Sequence, residues 1–307
     1  MSQKNKLYID GIDAFVEWGV CVEEGGYKGV IEFPKFKKLD SNVWAEESGA
    51  EYDLSAPKLD TRTFSLPLCV IDVRLAEDLI STLSDGAYHE FNFVELGRKY
   101  RLRLVDNTSF SSLVLLGNIT ITLADDFPIV PTEQPYPLDV HPSGYTFNGI
   151  DFAQYRVIVL ENTIDSIRKA PQVNPKLTIN SNAVDGVIYD ACNVTFKTKD
   201  MALRLFIRSA NITDFWRSYN SLFATILQPS THYFAFNSEN SFPFFYNEMK
   251  VDKFELYSGG KVWCELTLII TITDTTPIST YHLLTSENGE HIITEGDTPS
   301  LIIVRTY

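Results

Sequence analysis

The chain writes one short signature twice. Near its start it reads YIDGIDAF (Tyr8 to Phe15), and further on it reads YTFNGIDFA (Tyr145 to Ala153), with Gly11 and Gly149 138 positions apart. A three-letter coincidence is ordinary in 307 residues, so the flanks decide the matter. TRTFSLPLCV (Thr61 to Val70) lies over TKDMALRLFI (Thr198 to Ile207), and both alternate apolar and polar residues as half-buried strands do. Each then runs into a segment with helical spacing. The first begins near Asp72 and sets Leu75, Leu79, Ile80 and Leu83 on one face; the second begins near Asn211 and sets Ile212, Phe215, Trp216, Tyr219, Leu222, Phe223 and Ile226 on one face. Asp72 and Asn211 are competent N-caps, and Gly86 and Pro229 stop the two helices. YHEFNF then lies over THYFAF, which superimposes His89 on His232, and both halves close on alternating strands that end at Pro128 and Pro277.

Ordered landmarks of this kind are the mark of an internal duplication. The fold class they predict is all-β with minor α, mainly antiparallel: two tandem, similar β-sandwich or barrel domains, each with one amphipathic helix, and a C-terminal β-hairpin appendage. The boundaries are 1–130 for the first domain, 131–144 for a linker, 145–277 for the second domain and 278–307 for the appendage. Five prolines in Asp125 to Gly144 make the connection extended and semi-rigid, and Glu287 to Gly289 is the turn signal of the appendage. Gly-Ile-Asp is a scaffold signature, because Asp-Gly and Asn-Gly supply the positive φ of a tight hairpin turn. GGYKG (Gly25 to Gly29) reads as another hairpin tip. Polar stretches at Glu46 to Arg62 and Thr163 to Ala191 read as long loops that serve a contact surface.

The totals exclude several function classes. With 44% hydrophobic residues and no run of about 18 apolar residues, nothing in the sequence reads as a bilayer-spanning helix. The opening MSQKNKLYIDGID lacks the apolar core of a secretory signal, so the expected compartment is the cytoplasm. A net charge of −14 argues against gripping phosphate backbones, yet suits a surface past which a polyanion slides. Cys21, Cys69, Cys192 and Cys264 form no CxxC pair, and their apolar or strand-like contexts read as buried free thiols in preference to a disulfide framework or a zinc site.

Chemistry-bearing motifs are missing: there is no phosphate loop, no Gly-x-Ser-x-Gly elbow, no His-Glu-x-x-His helix and no EF-hand loop. The five histidines (His89, His141, His232, His282, His291) never fall at metal-ligand spacing, and His89 and His232 are expected to share a structural role. The adjacent carboxylates Glu23/Glu24, Glu46/Glu47 and Asp125/Asp126 read as solvated loop charge. Aromatics in HYFAFNSENSFPFFY (His232 to Tyr246) read as core, whereas Trp44, in an acidic loop, is free to stack on a ligand. Catalytic, cofactor-binding and metal-binding residues are therefore expected to be none, and the chain is expected not to be an enzyme.

LYIDGIDAF with its echo YTFNGIDFA, the strand TFSLPLCV leading into the helix LAEDLISTL, the aromatic strand HEFNF and the closing NITITLADDFP together resemble the distal tail and tail-hub proteins of tailed bacteriophages, which are built on the tail-tube β-sandwich fold. The resemblance covers most of residues 7 to 277. It implies a structural phage or prophage protein whose copies assemble as a trimer or hexamer ring that joins tail tube to tip. Partners would be the chain itself and other tail proteins, with DNA only a passing polymer and no membrane. The location would be the bacterial cytoplasm before assembly and the virion tail afterwards. A carbohydrate-binding or adhesive β-sandwich is the alternative, motivated by the aromatics and the acidic loops.

Overall fold

The computed structural model describes every residue except 1–3, 45, 108–110, 114–115, 140, 175–177, 180–181, 184, 187, 190–194, 238–239, 258, 276–279, 284–302 and 307. The first half carries β1 (Leu7–Ile9), β2 (Ile12–Asp13), α1 (Ala14–Trp18), β3 (Val20–Val22), α2 (Lys28–Ile31), β4 (Ser41–Asn42), β5 (Glu51–Tyr52), β6 (Arg62–Val70), α3 (Val73–Leu83), β7 (His89–Phe93), β8 (Arg98–Asn107), β9 (Ser111–Leu113) and β10 (Leu116–Asp125). The second half carries β11 (Tyr145–Phe147), β12 (Ile150–Asp151), β13 (Val157–Val159), α4 (Thr163–Arg168), β14 (Thr178–Ile179), β15 (Ile188–Tyr189), β16 (Lys199–Ser209), α5 (Ile212–Ile226), β17 (His232–Phe236), β18 (Asn240–Leu256) and β19 (Val262–Ile272). A last pair, β20 (Thr280–Leu283) with β21 (Ile303–Thr306), is antiparallel, and the turn expected at Glu287 to Gly289 lies outside the described residues.

The two halves share one topology. The first sheet runs β2-β1-β7-β8-β10-β6-β3 and the second β12-β11-β17-β18-β19-β16-β13, so each of these strands has a counterpart at the same place, while β9 pairs with β10 beside this path in the first sheet. Every pairing among the described residues is antiparallel, and the fold is that of tandem β units with few helices. The repeated signature sits where its chemistry requires. Asp10 and Gly11 have φ of 51° and 81°, Asn148 and Gly149 have φ of 50° and 80°, and these residues close the Ile9↔Ile12 and Phe147↔Ile150 hairpins. Two consecutive positive φ values are the type I′ turn, whose twist matches that of the strands it joins.

Alternation then sorts the faces. Phe64, Leu66, Leu68 and Val70 on β6, and Met201, Leu203, Leu205 and Ile207 on β16, all point into the core. Asp72 caps α3 by accepting from Arg74 N at 3.0 Å, and Asn211 caps α5 by accepting from Asp214 N at 2.8 Å. On α3, Leu79 and Leu83 are buried, whereas Leu75 turns outward and Ala76 occupies the core position. GGYKG differs from the sequence reading: the chain turns there and enters α2. The loop expected at Thr163 opens on α4, whose Thr163, Ser166 and Leu160 lead-in saturate the open side of β16 through Arg204 N, Ala202 N and Arg204 O.

The halves are fused by an aromatic seam. Helix α5 is buried on both sides: Tyr155 donates its hydroxyl hydrogen bond to Thr225 within the second half, while Tyr219 donates to the carbonyl of Ile31 in the first. Phe33 stacks on Phe223 with centroids 4.2 Å apart, Tyr246 donates to the Phe33 carbonyl at 3.1 Å, and the Trp216 indole donates to the Leu96 carbonyl at 2.7 Å. One continuous hydrophobic cluster therefore spans both halves. A second contact lies at Gly49, whose N–H donates to the Phe196 carbonyl at 2.7 Å; its φ is +90°, and a Cβ there would stand 1.9 Å from the Thr273 carbonyl oxygen.

Candidate functional site

Along the seam runs a groove of about 750 Å³. Its walls are β8, the start of α5, the chain leaving α2 and the extended segment after β10, contributing Arg98, Tyr100, Arg101, Trp216, Phe33 and Phe127 among others. The guanidinium of Arg98 lies 4.4 Å from the Trp216 ring centroid, and that of Arg101 lies 5.0 Å from Tyr88 and 5.4 Å from Phe127. These are cation–π contacts.

Arg62 forms the floor. It is 9% exposed, donates to the carbonyls of Val30 (2.8 Å) and Glu32 (2.6 Å), and pairs with the equally buried Asp125 at 3.0 Å. Its counterpart in the second half is Lys199, which donates to the Ile167 carbonyl at 2.6 Å. In both halves, then, the cation that opens this strand neutralises the carbonyl end of the preceding short helix. Burial, with a smaller push from Lys169, lowers the Lys199 ammonium to about 8.

The carboxylates at the groove are committed to partners. Asp125 holds Arg62, Glu90 holds Lys99 at 2.7 Å, and Glu133 accepts from Asn220 at 2.5 Å. Asp125 and Asp126 are thus structural ion pairs and not solvated loop charge: Asp126 accepts from Arg103 Nε at 2.6 Å, which holds its carboxyl below the ordinary range. Glu46 and Glu47 are exposed, as the sequence reading has them.

His89 and His232 occupy equivalent places and do equivalent work. His89 meets Asp10 at 2.6 Å and Asp85 at 3.2 Å; His232 meets Asn148 at 2.8 Å and the Gln228 carbonyl at 2.8 Å. Each ring therefore ties its strand to the first residue of the repeated turn and to the residue four positions upstream. The Gln228 carbonyl fixes the tautomer of His232, whose Nε2 donates while Nδ1 accepts from the Asn148 amide. Burial lowers its basicity. His141 is exposed, the side chain of His282 and all of His291 lie outside the described residues, and no group of three or more His, Cys, Asp or Glu among the described residues is placed to hold a metal ion.

In the aromatic stretch, Phe234, Phe244 and Tyr246 are wholly buried and belong to the core, whereas Tyr233 is 49% exposed. Trp44 is 52% exposed and Val43 beside it 67%. The apolar groups that sequence reasoning missed lie in the proline-rich connection: Phe127, Ile129 and Val130 are 51%, 83% and 45% exposed. Their signal was the FPIVP run (Phe127 to Pro131), in which proline keeps the chain extended and off the core. The borders of both sheets are short or covered. Strands β2, β3, β12 and β13 are two or three residues long, and the open side of β18 is covered by the first half, where Lys28 donates to the Asp252 carbonyl and Val251 N donates to Glu32. Short or covered borders leave little backbone to pair with a neighbouring molecule.

No family model matches the chain, and no curated protein matches it. Among solved structures it is similar to the SPP1 Dit (gp 19.1) protein, described as a paradigm of the hub adsorption apparatus in phages that infect Gram-positive bacteria. That similarity has a TM-score of 0.32 and 11% identity, covering 87% of this chain and 98% of the other. Among the described residues, no helix is long and apolar enough to cross a membrane.

Proposed function

We propose that this chain is a structural, non-enzymatic component of a phage or prophage tail, arisen by duplication, whose copies close into a ring between tail tube and tip with room for DNA to pass. The observation that carries the reading is the identical strand order of the two halves, welded by buried aromatics into one stiff body. Such a body presents two similar faces from one chain, which suits a ring of three chains and six similar units. The net charge of −14 lets DNA pass without adhering.

Contacts between copies are carried by side chains, since the sheet borders are short. The apolar groups suited to this are Ile129 on the connection and Ile158 on β13, 83% and 57% exposed. A head-to-tail contact closes when its rotation divides the circle. Mass measurement of the full chain over a wide concentration range tests this. A trimer or hexamer is expected, with Ile129→Asp or Ile158→Asp shifting it towards monomer while leaving the circular dichroism unchanged. A wild-type chain that stays monomeric throughout overturns the reading.

Trp44 supports a second reading, a glycan-binding surface, because an exposed indole beside Glu46 and Glu47 can stack on a sugar ring. Binding on a glycan array that disappears with Trp44→Ala would favour it over the first, and an array with no Trp44-dependent signal removes it.

A further inference from the structure

Strand β3 borders the first sheet, and its middle residue, Cys21, stands directly opposite Cys69 on β6. The ladder fixes the kind of site. Ile71 N donates to the Gly19 carbonyl at 2.9 Å and Glu23 N to the Pro67 carbonyl at 3.0 Å, so stepping by two residues from either end puts Cys21 and Cys69 at a hydrogen-bonded position. Residues paired that way have Cα atoms about 5.5 Å apart, inside the roughly 4.4–6.8 Å span of disulfides. Both side chains lie on one face, and both are free thiols. Cys21 is buried, whereas Cys69 is partly open to solvent. The equivalent positions of the second half hold Ile158 and Phe206, so the pair is an addition to the shared scaffold. Cys264 faces Ile207 and is wholly buried, and Cys192 lies outside the described residues.

We propose that Cys21 and Cys69 form a disulfide by exchange with a small-molecule disulfide, such as oxidised glutathione, when the protein passes from a reducing to an oxidising medium. Cys69 reacts first because it is the accessible one: its thiolate attacks a glutathione sulfur, one glutathione thiol leaves, and a mixed disulfide forms. Cys21 then gives up its proton to solvent and its sulfur attacks that of Cys69, expelling the second glutathione as a thiol. The balance is two protein thiols oxidised and one glutathione disulfide reduced to two thiols. Burial raises both protein thiols, Glu23 pushes Cys69 the same way and Lys6 opposes it at Cys21, so exchange quickens as pH rises. The bond would clasp a border strand only three residues long to a nine-residue neighbour, and the loop so closed contains α2, Phe33 and Gly49, which the first half contributes to the seam alongside Leu96. This inference does not depend on ring assembly.

Peptide mapping of the native full-length chain, incubated with oxidised glutathione and quenched with an alkylating agent, tests it. The expected result is a Cys21–Cys69 cross-linked peptide, with Cys264 still a thiol until the chain is unfolded. Cys69→Ser should leave Cys21 alkylatable after unfolding, while Cys264→Ser should leave the cross-link in place. A glutathione adduct that persists on Cys69 while Cys21 stays a thiol, a bond that appears only in denaturant, or no reaction at all would each overturn the proposal.

Discussion

Single residues show how closely the charge of this chain is managed. Arg62 and Asp125 are buried together between the halves, and removing one partner strands the other charge away from water. Asp125→Ala is expected to cost about 3–5 kcal/mol by denaturant unfolding, whereas replacing both partners by apolar residues of similar volume should cost much less. A loss below about 1 kcal/mol for Asp125→Ala would mean that solvent reaches Arg62. The buried phenols govern behaviour in alkali. Burial pushes Tyr155 up to about 12 and raises Tyr27, Tyr219 and Tyr246 from their ordinary value of 10.0. A folded-state pKa above the unfolded one means that the folded state keeps protons which the unfolded state releases. The stabilisation is therefore complete below pH 10 and is lost as pH climbs from there towards 12. Lys199, held down to about 8, acts in the opposite sense between there and 10.5 and blunts the onset. Urea midpoints measured from pH 8 to 11.5 should fall steeply above about pH 10, and less steeply in Tyr155→Phe. An equal slope in the two proteins would contradict the assignment.

Among the elements, the two long helices divide the labour. Helix α3 covers one sheet and keeps an open outer face, so Leu75→Ala should change stability by less than about 0.5 kcal/mol, while Leu79→Ala should cost about 2–5 kcal/mol. Helix α5 is enclosed on both sides, and Phe223→Ala removes a ring that serves both halves at a cost of about 3–5 kcal/mol. Thermal or chemical unfolding of the three variants checks the order, and an exposed-like response from Phe223 would mean that the seam is open. The sequence made α3 and α5 legible through caps and spacing, and the strands through alternation, because those signals depend on near neighbours in the chain. Leu75 was misassigned because Ala76, too small to stand out in a hydrophobic pattern, took the core position. The second buried side of α5 was written in its excess of aromatics, Phe215, Trp216, Tyr219 and Phe223. Its partner surface, around Ile31 and Phe33, lies some 190 residues away in sequence, and no local pattern points to it. The groove was illegible for the same reason, since its lining comes from stretches scattered between Asp10 and Asn220.

At the scale of the whole molecule, the seam makes two repeated units behave as one body, and Gly49 is its most demanding point. With a positive φ and a carbonyl oxygen where a Cβ would go, Gly49→Ala should destabilise the contact by about 1–3 kcal/mol and raise hydrogen exchange at Phe33 and Ala50 more than at the distant hairpin of β1 and β2. Uniform exchange across both halves would place the damage elsewhere. Stiffness is what the proposed ring needs, because the angle between successive copies would set whether an assembly closes or runs on as a filament. Imaging the full-length chain over a range of concentrations by electron microscopy tests this most directly. The expected particle is a closed ring with an open centre and three-fold or six-fold symmetry; particles that remain single chains at every concentration, or that grow as open chains without closing, would contradict it.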